Sequence, residues 1–342
     1  MQVRRAIDTA REGVLSAIGN TPLVKLNQVF RDIEFKLYAK MEMLNPGGSI
    51  KDRTAISILE QGIRSGSINS DTVIIESSSG NMGIGLAQVC SFYGLRLICV
   101  VDAKTTNQNI DILRAYGAEI DHITEPDPIT GEYLQARIDR VEYLRRTIKN
   151  CFWPNQYANV HNPRAHHRTM REIVAATAGQ LDYLFCAIST CGTMRGCAEF
   201  IKANNLPTKI IAVDAVGSVI FGGQKAKRLI PGHGAAIRPA LFQTNLAYDC
   251  VHVHDVDCVI GCRRLARREA ILAGGSSGAV IAAVEKMIDR IPPNATCVVI
   301  FADRGERYLD TIYSNAWVEA HFGGDVAENW EGEYEECVAI AS

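Results

Sequence analysis

From Thr72 onward, short runs of strand-forming residues alternate with helical runs: 72–75 then 83–93, 95–101 then 107–116, 119–123 then 132–148. A parallel strand is reached only through a crossover, so this βαβ order predicts a mostly parallel sheet covered by helices on both faces. Further strands are predicted at 181–188, 209–214 and 296–301, and Gly94 and Gly117 stop the helices that precede them. Two segments break the rhythm. One, 125–131, is rich in Pro and Asp; the other, 153–168, carries Pro154, Pro163 and three histidines and reads as a lobe boundary. After Trp317 the chain turns acidic, and 323–336 is expected as a loosely ordered tail.

Ahead of this pattern, Ile50, Ala55, Ile58, Leu59 and Ile63 recur at helical spacing, with Ser49 placed to cap the helix and Gly66 to stop it. Lys51 then falls in the first turn, directly after the Gly47-Gly48 turn. The positive end of the helix dipole disfavours another positive charge there, and in a dry site the amine is neutral and nucleophilic, able to form a Schiff base. Read alone, the segment fits a solvated helix-start lysine better.

The chain has 342 residues, 47% hydrophobic and 22% charged, enough for two lobes of an ordinary globular protein. A formal net charge of −2 gives no basic footprint for nucleic acid, and no stretch reaches the length of a membrane span. A small-molecule partner and a cytoplasmic location are expected. Eleven cysteines, an odd number with several inside apolar runs and no secretion signal, read as buried thiols. His252, His254, Cys258 and Cys262 have no zinc spacing, so no metal is expected there.

Parallel sheets bind ligands beyond the carboxyl ends of their strands, which directs attention to three Gly- and Ser-rich strand-to-helix junctions. Glu76-Ser77-Ser78-Ser79-Gly80-Asn81-Met82-Gly83 offers hydroxyls, an amide and helix N–H groups to a carboxylate. Ser189-Thr190-Cys191-Gly192-Thr193 has the make-up of a phosphate cradle, and Gly274-Gly275-Ser276-Ser277-Gly278 leads into a helix predicted over 279–288. Neither a dinucleotide fingerprint nor Walker spacing is present, which disfavours oxidoreductase and phosphate-hydrolysing readings. Any one junction alone is also explained by ordinary caps and turns.

Together with Ile18-Gly19-Asn20-Thr21-Pro22-Leu23-Val24, Asn45-Pro46-Gly47-Gly48-Ser49-Ile50-Lys51-Asp52-Arg53 and Gly305-Glu306-Arg307-Tyr308, these junctions resemble the fold-type II pyridoxal-phosphate enzymes of the cysteine synthase and cystathionine β-synthase family. The resemblance implies a two-lobed α/β fold like the tryptophan synthase β subunit, with mostly parallel sheets flanked by helices. It implies a large cofactor-binding domain over 8–44 and 156–322, a smaller mobile domain over 45–155, an acidic tail over 323–342, and a homodimer. By the same resemblance, Lys51 carries pyridoxal 5'-phosphate covalently and acts as the catalytic base. Asn81 bonds the ring hydroxyl, Ser189, Thr190, Cys191, Gly192 and Thr193 bind the phosphate, and Ser276 faces the pyridine nitrogen. Ser78, Ser79 and Asn81, with Gln156, would hold the substrate carboxylate.

A narrower resemblance points to the N-(2-amino-2-carboxyethyl)-L-glutamate synthases of staphyloferrin B biosynthesis, which join O-phospho-L-serine to L-glutamate on the way to 2,3-diaminopropionate. It is carried by Asn155-Gln156-Tyr157-Ala158-Asn159, Gly217-Ser218-Val219-Ile220-Phe221-Gly222 and Asp303-Arg304-Gly305-Glu306-Arg307-Tyr308. A phosphorylated substrate and a dicarboxylate nucleophile both favour a nearby cation. Arg137, at the border of the apolar stripe Leu134, Ile138, Val141 and Ile148, is the candidate, against the reading of a surface arginine. Tyr157 and Ser189 are further candidates for substrate contact. A synthase using a sulfur nucleophile and a non-catalytic pyridoxal-phosphate-binding regulator are the competing readings.

Overall fold

The computed structural model describes residues 12–324 except Thr130, together with Val326. The acidic tail expected over 323–342 therefore lies almost entirely outside the described residues. In chain order come β1 (Leu23–Lys25), β2 (Lys36–Lys40), α1 (Lys51–Arg64), β3 (Val73–Ser77), α2 (Asn81–Tyr93), β4 (Arg96–Asp102), α3 (Asn107–Ala115), β5 (Glu119–Ile123), α4 (Tyr133–Thr147) and β6 (Cys151–Phe152). Next are α5 (His161–Ala176), β7 (Tyr183–Ala187), α6 (Gly192–Ala203), β8 (Lys209–Ala215), β9 (Asp249–Val253), α7 (Asp255–Arg268), α8 (Gly275–Glu285), β10 (Thr296–Ile300) and α9 (Asn315–Phe322).

The chain divides into two compact units, one containing residues up to Thr21 with Leu44–Ala165, the other Pro22–Met43 and the chain from His166 on. This differs from the division at 44/45 and 155/156 that the resemblance implies. Hydrogen bonds give the reason: Asn45 Oδ1 accepts from Gly19 N at 2.8 Å, Thr54 Oγ1 donates to Asn162 Oδ1 at 3.2 Å, and Ser57 Oγ to His161 O at 2.9 Å. They tie residues 12–21 and 156–165 to the unit that carries α1.

The first unit is built on a four-stranded parallel sheet in the order β5-β4-β3-β6. Successive residues of β3 and β4 point to opposite faces, and the core divides accordingly. Ile74, Leu97, Cys99 and Val101 pack with Ala55, Ile58, Leu86, Val89 and Leu113, whereas Val73, Ile75, Ile98 and Val100 pack with Val141 and Leu144. Burial on both faces is why these strands read as unbroken apolar runs rather than as alternating ones.

The second unit contains a six-stranded sheet in the order β1-β2-β10-β7-β8-β9, parallel except for the antiparallel pair β1/β2. Its tightest packing lies between α7 and α8. A methyl group added to Gly278 would overlap the Cys258 carbonyl oxygen and stand 2.7 Å from Cys262 Sγ, and one on Gly261 would overlap the Gly278 backbone. The two helix backbones thus touch with no side chain between them.

Each sheet reverses its strand order once. In the first unit the chain leaves β3 through β4 and β5, then returns as β6 on the other side of β3; in the second it leaves β7 through β8 and β9 and returns as β10. Loops diverge at such points and open a crevice beyond the strand ends. The loop after β3 contains residues 78–80 and leads into Asn81 at the start of α2, the loop after β6 contains residues 155–157, and the loop after β7 contains residues 189–191 and leads into Gly192 and Thr193 at the start of α6.

Since the α7–α8 contact leaves no room for a side chain, Gly278→Ala is expected to destabilise the protein by about 2 kcal/mol or more. Denaturant unfolding of the variant measures this, and an unchanged midpoint would contradict the packing described.

Candidate active site

Lys51 is the first residue of α1, and the chain that delivers it is held at every turn. Gly48 takes a φ of +84°, which closes the turn as only glycine does without strain. Its N–H donates to Asn45 O at 2.8 Å, the Gly47 N–H donates to the Asp52 carboxylate, and Arg53 Nη2 lies 3.5 Å from Thr21 Oγ1. Ser49 Oγ accepts the Lys51 N–H at 3.2 Å, so the predicted serine does engage the helix start, although Ile50 occupies the capping position itself. A Cβ at Gly85 would stand 3.2 Å from both Lys51 O and Ala55 Cβ, so α2 lies close against the first turn of α1. Lys51 is half-buried.

The loop after β3 is equally built. Ser78 Oγ accepts the Gly83 N–H at 2.9 Å, Cys99 Sγ donates to Ser78 O at 3.0 Å, and Asn109 Nδ2 donates to Ser79 O at 3.0 Å. Arg137 reaches inward from α4: its Nη1 donates to Ser79 Oγ at 3.4 Å, its Nε lies 3.3 Å from Asp102 Oδ2, and the side chain is 14% exposed. The surface-arginine reading of Arg137 is thereby excluded. Gln156 is buried, its carbonyl accepting from Asn162 Nδ2 at 2.7 Å, whereas the neighbouring Tyr157 is 38% exposed.

Glu76, named in the sequence only as the first residue of this loop, is fully buried. Its Oε1 accepts from Ser77 N at 2.9 Å and Trp153 Nε1 at 3.1 Å, and its Oε2 accepts from Gln156 N at 3.4 Å. Desolvation outweighs these hydrogen bonds and raises the carboxyl pKa from 4.5 to about 7.

In the second unit α6 begins at Gly192, after Cys191 at a φ of 64°, with no side-chain cap and no acidic residue in its first turn. Thr190 Oγ1 accepts the Gly192 N–H at 3.3 Å. Ser189 and Thr193 are half-buried, while Thr190 and Cys191 are buried. The arrangement favours an anion, since the helix start concentrates N–H groups and partial positive charge beside hydroxyls. Behind it lies His166, one of the three histidines of the segment that the sequence pattern reads as a lobe boundary. It sits instead inside α5, 1% exposed, with Nε2 3.3 Å from Thr193 Oγ1 and Nδ1 3.4 Å from Thr169 Oγ1.

The remaining junction is fixed by the loop after β10. Gly274 N donates to Asp303 O and Gly305 N to Leu272 O, both at 3.0 Å, and Tyr308 donates to the Asp303 carboxylate. A Cβ on Gly274 would overlap that carboxylate, so only glycine lets the two loops close on each other. Ser276 is buried in the first turn of α8, which starts at Gly275, four residues before the sequence pattern places it. Among the described residues no helix is long and apolar enough to cross a membrane.

The model of the pyridoxal-phosphate dependent enzyme family matches residues 14–303, and the chain belongs to that family. It is similar to a hydrogen sulfide-producing enzyme from Fusobacterium nucleatum, with 34% identity, a TM-score of 0.82, and coverage of 87% of this chain and 98% of that one. An O-acetylserine dependent cystathionine β-synthase from Helicobacter pylori shares 32% identity over 90% of this chain and 100% of its own, with a TM-score of 0.82. An O-ureido-L-serine synthase shares 28% identity over 90% and 99%, with a TM-score of 0.80. The protein is therefore a pyridoxal-phosphate dependent enzyme of the β-replacement type, with the α/β fold that the sequence pattern predicts.

The residues present fit that cofactor. The α6 start, with Thr190 and Thr193 and without a first-turn carboxylate, suits a phosphate monoester; Lys51 offers a primary amine on a braced turn, and Ser276 a buried neutral hydroxyl. For Thr193 to donate its proton to a phosphate, His166 must donate from Nε2 to Thr193 Oγ1 and accept from Thr169 at Nδ1. Replacing His166 with Ala is expected to weaken pyridoxal-phosphate binding about tenfold, the loss of roughly one hydrogen bond, with partial recovery in His166→Gln. Spectrophotometric titration of the cofactor-depleted protein checks this, and equal affinity of all three proteins would contradict it.

Proposed function

We propose that the enzyme joins O-phospho-L-serine to L-glutamate, releasing phosphate and giving N-(2-amino-2-carboxyethyl)-L-glutamate, a precursor of 2,3-diaminopropionate for siderophore assembly. The observation that supports this is Arg137, an arginine drawn in from α4 onto Ser79 of the loop after β3. An acetyl-type substrate needs no cation there, whereas a phosphate dianion or a dicarboxylate does. The second reading, a sulfur nucleophile, is favoured by the described activities of the Fusobacterium and Helicobacter relatives.

Pyridoxal phosphate, when bound, supplies the electron-withdrawing ring that acidifies the α-carbon of an amino acid joined to it. The chain's own residues do the rest of the work. Lys51 holds the cofactor through its amine, yields that place to the substrate amine, and then takes the α-proton at Nζ. Ser78, Ser79, Asn81 and Gln156 orient the α-carboxylate, so that the α C–H bond is fixed relative to Lys51. As the C–O bond to phosphate breaks, Arg137 receives the departing charge. The glutamate nitrogen then forms the new C–N bond and loses a proton, and Lys51 returns one to the α-carbon. Asn81 also bonds the ring hydroxyl. Ser189, Thr190, Cys191, Gly192 and Thr193 hold the cofactor phosphate, and Ser276, a neutral partner for the ring nitrogen, does not favour its full protonation. Tyr157 and Ser189 make further substrate contacts, and the working form is a homodimer.

Mass identification of products from phosphoserine with glutamate or with sulfide tests the nucleophile, and a thioether or cysteine product alone would give the sulfur reading precedence. Lys51→Ala is expected to abolish the lysine-linked cofactor absorbance and to lower turnover at least about a thousandfold, because the same amine is the covalent anchor and the base. Arg137→Ala should raise the KM for phosphoserine about tenfold or more, while leaving any O-acetylserine reaction within about threefold. Steady-state kinetics with both donors would show it, and equal losses on the two would remove phosphate recognition from Arg137.

A further inference from the structure

The strand-order reversal of the first unit falls between β3 and β6, and a single carboxylate spans it. Glu76, the penultimate residue of β3, is 2% exposed. Its two oxygens accept N–H groups from Ser77 N at the end of its own strand and from Trp153 Nε1 and Gln156 N on the segment that follows β6, with the Asn155 backbone adding to them. Gln156 is held from the other side as well. Its carbonyl accepts from Asn162 Nδ2, and Asn162 Oδ1 accepts from Thr54 Oγ1, one turn along α1 from Lys51. The chain of contacts runs from the first turn of α1 through Asn162 and Gln156 to Glu76 and on to the loop that carries Ser78, Ser79 and Asn81.

We propose that Glu76 is the positioning residue of this site, holding Gln156 in register with the loop after β3 so that the two segments together grip the α-carboxylate of the amino-acid substrate. This deepens the proposed function and rests on its assignment of those segments to the carboxylate. Glu76 itself touches no substrate in this scheme. Three aligned N–H donors make the carboxylate the form that fits, because a proton on either oxygen would confront a donor with a donor.

Among the described residues no cation contacts Glu76. Cys99, its neighbour across β4, has a thiol raised to about 12 by burial and stays protonated; Arg137 from α4 is paired with Asp102, and Arg145 stacks on the Trp153 ring at 5.1 Å. Burial, outweighing the hydrogen bonds, therefore moves the Glu76 titration to about 7, inside the working range of most enzymes. The sign follows from the raised value. Between about 4.5 and 7 the folded protein binds a proton that the unfolded chain has released, so acidification through this window stabilises the fold while it loosens the grip on Gln156.

Two readouts on the full chain as purified test the proposal. Trp153 emission in wild-type protein should titrate with a midpoint near pH 7 that is missing from Glu76→Gln and from Trp153→Phe. At pH 8, Glu76→Gln should raise the half-saturating phosphoserine concentration about tenfold with kcat changed less than about threefold, and the gap should narrow by pH 6, where wild-type Glu76 also carries a proton. Glu76→Asp, which keeps a carboxylate one methylene short, should recover part of the affinity and keeps the test open should Glu76→Gln fold poorly.

A midpoint that persists in Glu76→Gln, an unchanged half-saturation at pH 8, or a gap between wild type and variant as wide at pH 6 as at pH 8 would overturn the proposal. Should neither phosphoserine nor O-acetyl-L-serine alter the cofactor absorbance of wild-type protein, the proposed function falls instead. The tryptophan titration, which needs no substrate, then decides for or against the Glu76 contact by itself.

Discussion

Helices that start at glycine just beyond a sheet are the constraint on which the rest of this structure depends. The capping residues of α2 and α8 are Gly80 and Gly274, α6 opens with Gly192 after Cys191, and in none of the three does the capping residue make a side-chain capping hydrogen bond. Helix starts present N–H groups that need acceptors, and a small residue there lets a ligand or a neighbouring loop approach the backbone. Parallel order places these starts beyond the strand ends, and each reversal of strand order separates the loops around them. Fold and chemistry are in this sense one requirement, because the amides left over by the architecture are those an anionic cofactor and substrate need.

Around these starts, rigidity comes from buried polar groups. Lys40 at the end of β2 is 1% exposed and pairs with Glu172 at 2.7 Å, and Glu172 shares α5 with His166 and Thr169 at spacings of three residues. One face of α5 thus anchors the central sheet of the second unit and backs the hydroxyl of Thr193. Removing one partner of such a buried pair typically costs about 3–5 kcal/mol, although replacing both with apolar residues need not. In the first unit neutral amides and hydroxyls share the anchoring role with the buried carboxylates of Asp52, Glu76 and Asp102.

How much of this was legible in the sequence depended on what holds each element. The interior strands were found within two residues, since buried parallel strands announce themselves as apolar runs and glycines such as Gly94 close the helices before them; β5, a partly exposed edge strand, was found to the residue. β2 was not, because Lys36 and Lys40 bracket it and only tertiary contacts bury Lys40. The start of α8 was placed late because Gly275, Ser276, Ser277 and Gly278 are poor helix formers that the α7 contact overrides. Lys51 and the three junctions were visible as motifs, but Arg137 was not settled by periodicity, since Ser79 is 58 residues away. Glu76 and His166 went unassigned for a similar reason. The available signals were a carboxylate closing a wholly apolar run just before a serine loop, and a histidine inside a segment already marked as irregular.

The buried thiols acquire a chemical meaning from the cofactor. An aldehyde is open to addition by any thiolate nearby, and this chain holds eleven cysteines, one of them in the loop assigned to the phosphate. Burial pushes the thiols of Cys90, Cys99, Cys191, Cys250, Cys262 and Cys297 up to about 12. At neutral pH each is then ionised in only about one molecule in 10⁵. Cys191, with the Asp214 charge adding to its desolvation, fills its place at the start of α6 as a small apolar group. The packing that stabilises the sheets also keeps these six thiols from competing with the Lys51 amine for the carbonyl carbon that the proposed function assigns to it.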